Sequence, residues 1–131
     1  MSDMPRRPEG AAILRTLAMP ADTNVAGDIF GGWVLSQMDI AGGVLAAERA
    51  RGRVATVAIN AMTFIAPVQV GDVLSIYGEV VRVGSTSMSI ALEAWSERDR
   101  GRSAHKVTEG VFVFVALDEA GNPVKVPPET T

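Results

Sequence analysis

From Gly31 to Ala50 the chain runs without proline, and Trp33, Val34, Leu35, Met38, Ile40, Ala41, Val44, Leu45 and Ala46 lie around nearly the whole circumference of one helix. A helix apolar on almost every side is predicted to be mostly buried. Gly42 and Gly43 in its middle each cost up to about 1 kcal/mol relative to Ala, so the backbone there is expected to pass close to another element. The rest of the chain beyond the helix reads as strand. Val54–Ile65, Val73–Val83, Ser87–Glu97 and Ser103–Leu117 are β-rich runs separated by Pro67–Asp72, Gly84–Thr86 and Glu97–Arg102, each of hairpin length. Ala12–Ala18, closed by Pro20, adds a strand ahead of the helix.

The order predicts an α+β fold, with one helix for an antiparallel sheet to wrap and successive strands joined as hairpins. Met88, Ile90, Leu92 and Ala94 are expected on one face of their strand, against Ser87, Ser89, Ala91 and Glu93 on the other. In the last strand Val107, Val111, Val113, Val115 and Leu117 share one face, and Phe112 and Phe114 the other. One helix cannot cover both faces of such a sheet, so the apolar surplus predicts a second subunit, most simply a two-fold dimer.

With 131 residues, 47% of them apolar, one domain spanning 1–131 is expected, with loose ends at 1–10 and 128–131. Cysteine is absent, which removes thiolate nucleophiles, Cys-ligated zinc and iron–sulfur clusters. A formal net charge of −3 opposes nucleic-acid binding. The single histidine excludes multi-histidine metal sites, and His105 itself is expected to be an exposed strand residue. Val54–Gly71 is uncharged, but Thr56, Asn60, Thr63, Pro67 and Gln69 interrupt it, so it reads as a buried strand and turn rather than a membrane span. No apolar segment of signal-peptide length follows Arg6 and Arg7, and the expected location is the cytoplasm.

Asp39 is the position most telling of chemistry. A carboxylate in a nearly all-apolar helix either pairs with a cation such as Arg82 or opens onto a site. The run Asn24-Val25-Ala26-Gly27-Asp28-Ile29-Phe30-Gly31-Gly32 delivers the chain into the helix, whose first amides at Gly31 and Gly32 either polarise a carbonyl oxygen or only permit a tight turn. Eight residues at about 1.5 Å each put Asp39 some 12 Å along the axis from Gly31. The two cannot act on one carbonyl within a single subunit, so a shared site is expected at a subunit interface. Arg82 with Gly84-Ser85-Thr86-Ser87 forms a polar hairpin that receives phosphates or is simply a turn. Neither a Walker-type loop nor a Gly-x-Ser-x-Gly elbow is present.

Asn24-x-x-Gly27-Asp28-Ile29-Phe30-Gly31-Gly32-Trp33, then Ser36-Gln37-Met38-Asp39, resembles the YciA-type acyl-CoA thioesterases of the hotdog fold. The likeness continues through Phe64-x-x-Pro67-Val68-x-Val70-Gly71-Asp72, Gly84–Ser87 and Gly110-x-Phe112-x-Phe114-Val115-Ala116-Leu117. It implies a long helix wrapped by a curved sheet, a homodimer as minimal unit, three dimers forming a hexamer, and hydrolysis of acyl-CoA to free acid and CoA. No metal or bound cofactor is implied, CoA being part of substrate and product. Asp39 would be the general base or nucleophile, and Gly31 and Gly32 the carbonyl-polarising amides, with Asn24 in the active-site loop. By chemistry, Arg82, Gly84, Thr86, Ser87 and Lys106 are candidates for the CoA nucleotide, and Trp33, Met38, Met62 and Phe64 for an acyl tunnel between subunits. Two rivals keep the pocket and change the outcome: a non-catalytic acyl-CoA sensor, and a hydratase or dehydratase of the same fold, which generally needs a histidine beside the helix.

Overall fold

The computed structural model describes residues 6–129. Strand β1 (Leu14–Leu17) leads through a 3-10 turn at Pro20–Asp22 into helix α1 (Gly31–Ala50), followed by β2 (Arg53–Phe64), β3 (Val73–Val83), β4 (Ser87–Arg98) and β5 (Ser103–Leu117). All strand pairs are antiparallel, in the order β1-β3-β4-β5-β2. This corrects the expectation of hairpins throughout, because β2 pairs with β5 and not with β3. The link after β2 cannot fold back on its own strand: the amides of Ile65 and Ala66 both bond the Val107 carbonyl, at 2.7 and 3.3 Å, and carry the chain across the end of the sheet.

The helix ends where expected, with Arg51 in the left-handed region (φ 53°) and its amide on the Ala47 carbonyl. Its buried side carries Trp33, Val34, Met38, Ala41, Gly42, Ala46 and Ala50. Gly42 is there for space: a Cβ would lie 2.9 Å from both Leu92 Cδ1 and Phe114 Cε1. The other side is open in the single chain. Ile40 and Val44 are about half exposed, and Val57 and Ile59 on β2, whose outer edge has no neighbouring strand among the described residues, are exposed as well.

Alternation on β4 holds from Ser87 to Ala94, with Met88, Ile90, Leu92 and Ala94 against the helix. On β5 the side facing the core carries Phe112, Phe114 and Ala116, and Val107 joins it instead of the opposite face. A register shift explains the change: Ala94 pairs with Thr108 and Trp95 with Lys106, so Val107 is an extra residue that reverses the parity. Two further shifts interrupt β2, at Val57 and at Ala61–Met62. Ala61 takes a positive φ of 54°, and Met62 turns onto Gly110, where a Cβ would meet its sulfur.

Beyond Ala94, β4 is also buried at Trp95, Ser96 and Glu97. Glu97 accepts hydrogen bonds from Arg15 Nη2 at 2.8 Å and from Arg7. The Arg7 contact pins part of the stretch expected to be a loose arm; its residues 1–5 lie outside the described residues, as do 130 and 131 of the expected loose tail. Near that tail, Val126 is buried, its amide bonds the Ser85 carbonyl at 2.9 Å, and Arg49 donates to the Pro127 carbonyl at 2.6 Å. No helix among the described residues is long and apolar enough to cross a membrane.

Candidate active site

The loop before the helix is shaped by Asn24. Its Oδ1 accepts the amides of Ala26 and Asp28, at 3.0 and 3.1 Å, its own amide bonds the Asp28 carbonyl, and Gly27 supplies the positive φ the turn requires. Both Oδ1 bonds are local to this loop. Phe30 enters the helix in an extended conformation with no side-chain cap, and the Trp33 amide bonds the Phe30 carbonyl. Gly31 and Gly32 are exposed, and their amides stand at the positive end of the helix dipole.

Asp39 lies on the boundary between the buried and open sides of α1, partly exposed. Pairing with Arg82 is not what the fold provides. Thr56 Oγ1 donates to Asp39 Oδ1 at 2.6 Å. Thr56 reaches the helix because it sits opposite Phe114 on β5, whose ring also faces α1. The sequence offers little hint of this residue. Thr56 is one of many polar positions in a β-rich run, and only the pairing of β2 with β5 brings it to a helix 17 positions away.

Phe64, at the end of β2, rests its ring tip on Gly31; a Cβ there would lie 3.3 Å from Phe64 Cζ. Together with Ile29, Val34, Pro67 and Val68 these residues surround a hollow of about 390 Å³ beside the helix start. Of the four residues expected to line an acyl tunnel, Phe64 borders this hollow, Met62 covers Gly110, and Trp33 and Met38 are core.

Arg82, Gly84, Thr86 and Ser87 do gather in one turn, closed by the Gly84 amide on the Ser87 carbonyl at 2.8 Å. That turn is at the far end of the sheet. Ser87 pairs with Val115, whereas Phe64 pairs with Thr108, and seven residues at about 3.4 Å put roughly 24 Å between the turn and the helix start within one subunit. Within one subunit Lys106 lies apart from this group. It lies at the Thr108 end of β5 and is held by Glu109 and by Glu93, the latter at 4.0 Å. His105 is half-buried rather than exposed and shares a hydrogen bond of 3.0 Å with Ser103 Oγ.

Beneath the hollow, Asp72 is the anchor of its wall. Its carboxylate accepts Arg98 Nε, Ser96 Oγ and the Gln69 amide. Burial by itself raises the Asp72 carboxyl, but these hydrogen bonds and the Arg98 charge outweigh it and hold the group below the usual carboxylate range. Glu97 behaves alike: burial opposes ionisation, and the bonds from Arg7 and Arg15 more than compensate. Among the described residues no group of three His, Cys, Asp or Glu side chains is placed to hold a metal ion.

The thioesterase superfamily model matches residues 26–102, a span that begins in the Asn24 loop and includes the whole helix. The acyl-CoA thioester hydrolase YciA of Escherichia coli K12 is 50% identical over 98% of this chain and 100% of its own. Among solved structures, a hexameric thioesterase of Yersinia pestis superposes with a TM-score of 0.88 at 50% identity, covering 94% of this chain and 100% of that one. A hexameric hotdog fold thioesterase of Campylobacter jejuni gives 0.85 at 40% identity, over 90% and 91%. A long helix against an open antiparallel sheet, the glycine pair at its start and end-to-end identity of this order agree: the chain belongs to the thioesterase superfamily, as a hotdog-fold member of its YciA-type acyl-CoA thioester hydrolases.

Proposed function

We propose that the chain hydrolyses acyl-CoA thioesters to a carboxylic acid and CoA, at sites shared between two subunits. The observation that carries this reading is Asp39: a carboxylate at the edge of the buried side of a largely apolar helix, with one oxygen accepting from Thr56. Asp39 takes a proton from water as the water oxygen attacks the thioester carbonyl carbon, or attacks that carbon itself to form an anhydride that water then cleaves. In either route the carbonyl oxygen becomes an oxyanion at the Gly31 and Gly32 amides, with Asn24 Nδ2 beside them. The carbon–sulfur bond then breaks, and CoA leaves as thiolate and is protonated. Carboxylate and amides supply the base and the electrophile, so the proposed reaction calls for no metal or cofactor.

The roughly 12 Å between Asp39 and Gly31 requires two copies, one giving the aspartate and the other the amides. The free edge of β2 with Ile40 and Val44 is the surface on which a two-fold partner would sit, and the two solved relatives above are hexamers. A two-fold partner runs in the opposite direction, which would carry its Arg82–Ser87 turn toward the helix start of the first copy as a nucleotide site, at the end of the sheet where Lys106 of that copy lies. The whole chain then acts as one domain, in the cytoplasm where acyl-CoA is made and used.

Release of free thiol from acetyl- to palmitoyl-CoA tests the activity, and Asp39→Asn should lower kcat by about 100-fold or more with assembly unchanged. Full activity of Asp39→Asn would refute the role. CoA binding with no turnover by the native chain would make it a sensor. Mixing Asp39→Asn with Asn24→Ala subunits should restore activity in mixed dimers; none would refute the shared site.

A further inference from the structure

We infer that two copies of the chain join in one register only, about a two-fold axis that passes Leu35–Ser36 on α1 and Ile59–Asn60 on the free edge of β2. This rests on the shared-site reading above and adds to it where the second copy sits.

Three observations meet on that axis. The first is the site itself. Base and oxyanion donors must each lie about 3 Å from the reacting group, so Asp39 of the partner subunit has to come level with Gly31. Two-fold symmetry demands the reverse contact as well, and the axis therefore crosses the helix midway between the two, at residue 35. The second is the pair of contacts that tie β2 to the helix. Thr56 bonds Asp39 and Phe64 rests on Gly31, so the same closure sets Thr56 of the partner subunit alongside Phe64. Midway between these on the strand is residue 60.

The third observation is independent of the chemistry. The irregularities of β2 lie at Val57 and at Ala61–Met62, with Ile59 and Asn60 between them. An antiparallel twin centred there sets each irregularity beside its counterpart and lets regular segments pair with regular ones. On the helix, the same axis brings exposed Ile40 level with exposed Phe30 of the partner subunit, apolar on apolar, and leaves exposed Ser36, a small residue, where the two helices pass. Register matters to the reaction because an edge that keeps its faces slips by two residues, about 7 Å, more than the site tolerates.

The chain has no cysteine, so single cysteines report the axis directly. Ile59→Cys or Asn60→Cys, whichever lies on the axis, should form a disulfide-linked dimer under mild oxidation about 10-fold or more faster than Val57→Cys, since Val57 would stand roughly 17–20 Å from its own mate. The oxidised dimer should turn over acyl-CoA as the reduced protein does, followed by thioester absorbance. Cross-linking at Val57 as fast as at the other two overturns the inference, as does none at either Ile59 or Asn60. A linked dimer that regains activity only on reduction overturns it too. Absence of turnover in the native chain counts instead against the thioesterase reading, and the cross-linking pattern still decides the register.

Discussion

Adjacent glycines in α1 should respond to the same substitution with opposite signs. Replacing either by Ala gains about 0.8–1 kcal/mol of helix propensity. At Gly43 the new methyl would stand 3.8 Å from Phe114 Cε2, an ordinary contact, so the gain survives and the variant is stabilised by up to about 1 kcal/mol. At Gly42 it would lie 2.9 Å from Leu92 Cδ1 and Phe114 Cε1 and 3.0 Å from Phe114 Cζ. Both side chains are only 2% exposed and packed from β4 and β5, so neither can swing away. Overpacking of this kind costs about 1–3 kcal/mol and outweighs the propensity. Because propensity is common to both variants, the difference between them isolates the packing cost. Urea unfolding at one fixed protein concentration, with the slope checked for constancy, measures it. A Gly42→Ala chain as stable as Gly43→Ala would refute the close-packing argument.

Thr56→Val keeps the shape of the side chain and removes its hydroxyl, and should lower kcat by about 10-fold with KM little changed, since the aspartate loses the contact that orients it; steady-state kinetics alongside an unchanged urea midpoint would distinguish orientation from folding. Asp72 and Glu97 both have lowered folded pKa values, so they stabilise the fold above the unfolded carboxyl pKa, and that stability is lost as pH falls below about 4 toward the folded values. Urea midpoints should therefore drop between about pH 5 and 3, and Asp72→Asn should flatten the drop while lowering the midpoint at pH 7.

Local pattern made the helix legible, because no proline interrupts Gly31–Ala50 and apolar residues recur through it. The same pattern pointed to Asp39, since a charge in an apolar surround is visible without coordinates. Pairing was not legible. Whether β2 joins β3 or β5 depends on where the Ile65 and Ala66 amides find a carbonyl, and that carbonyl belongs to Val107, over forty positions on. Val107 itself defeated the alternation rule because a single extra residue in β5 reverses every face before it. Arg7 and Thr56 were missed for the same reason: each meets its partner, Glu97 or Asp39, only after the sheet has formed.

The two irregularities in β2 bear on how copies find each other. A smooth twelve-residue edge with Val57 and Ile59 exposed would accept any extended chain in many offsets. Breaks at Val57 and at Ala61–Met62 divide that edge into short ladders separated by kinks. A stray strand can zip along one ladder and must stop at the kink, whereas an identical edge running the other way carries the same kinks in mirrored places. Each kink thus shortens the run of unpaired edge that a stray strand could extend.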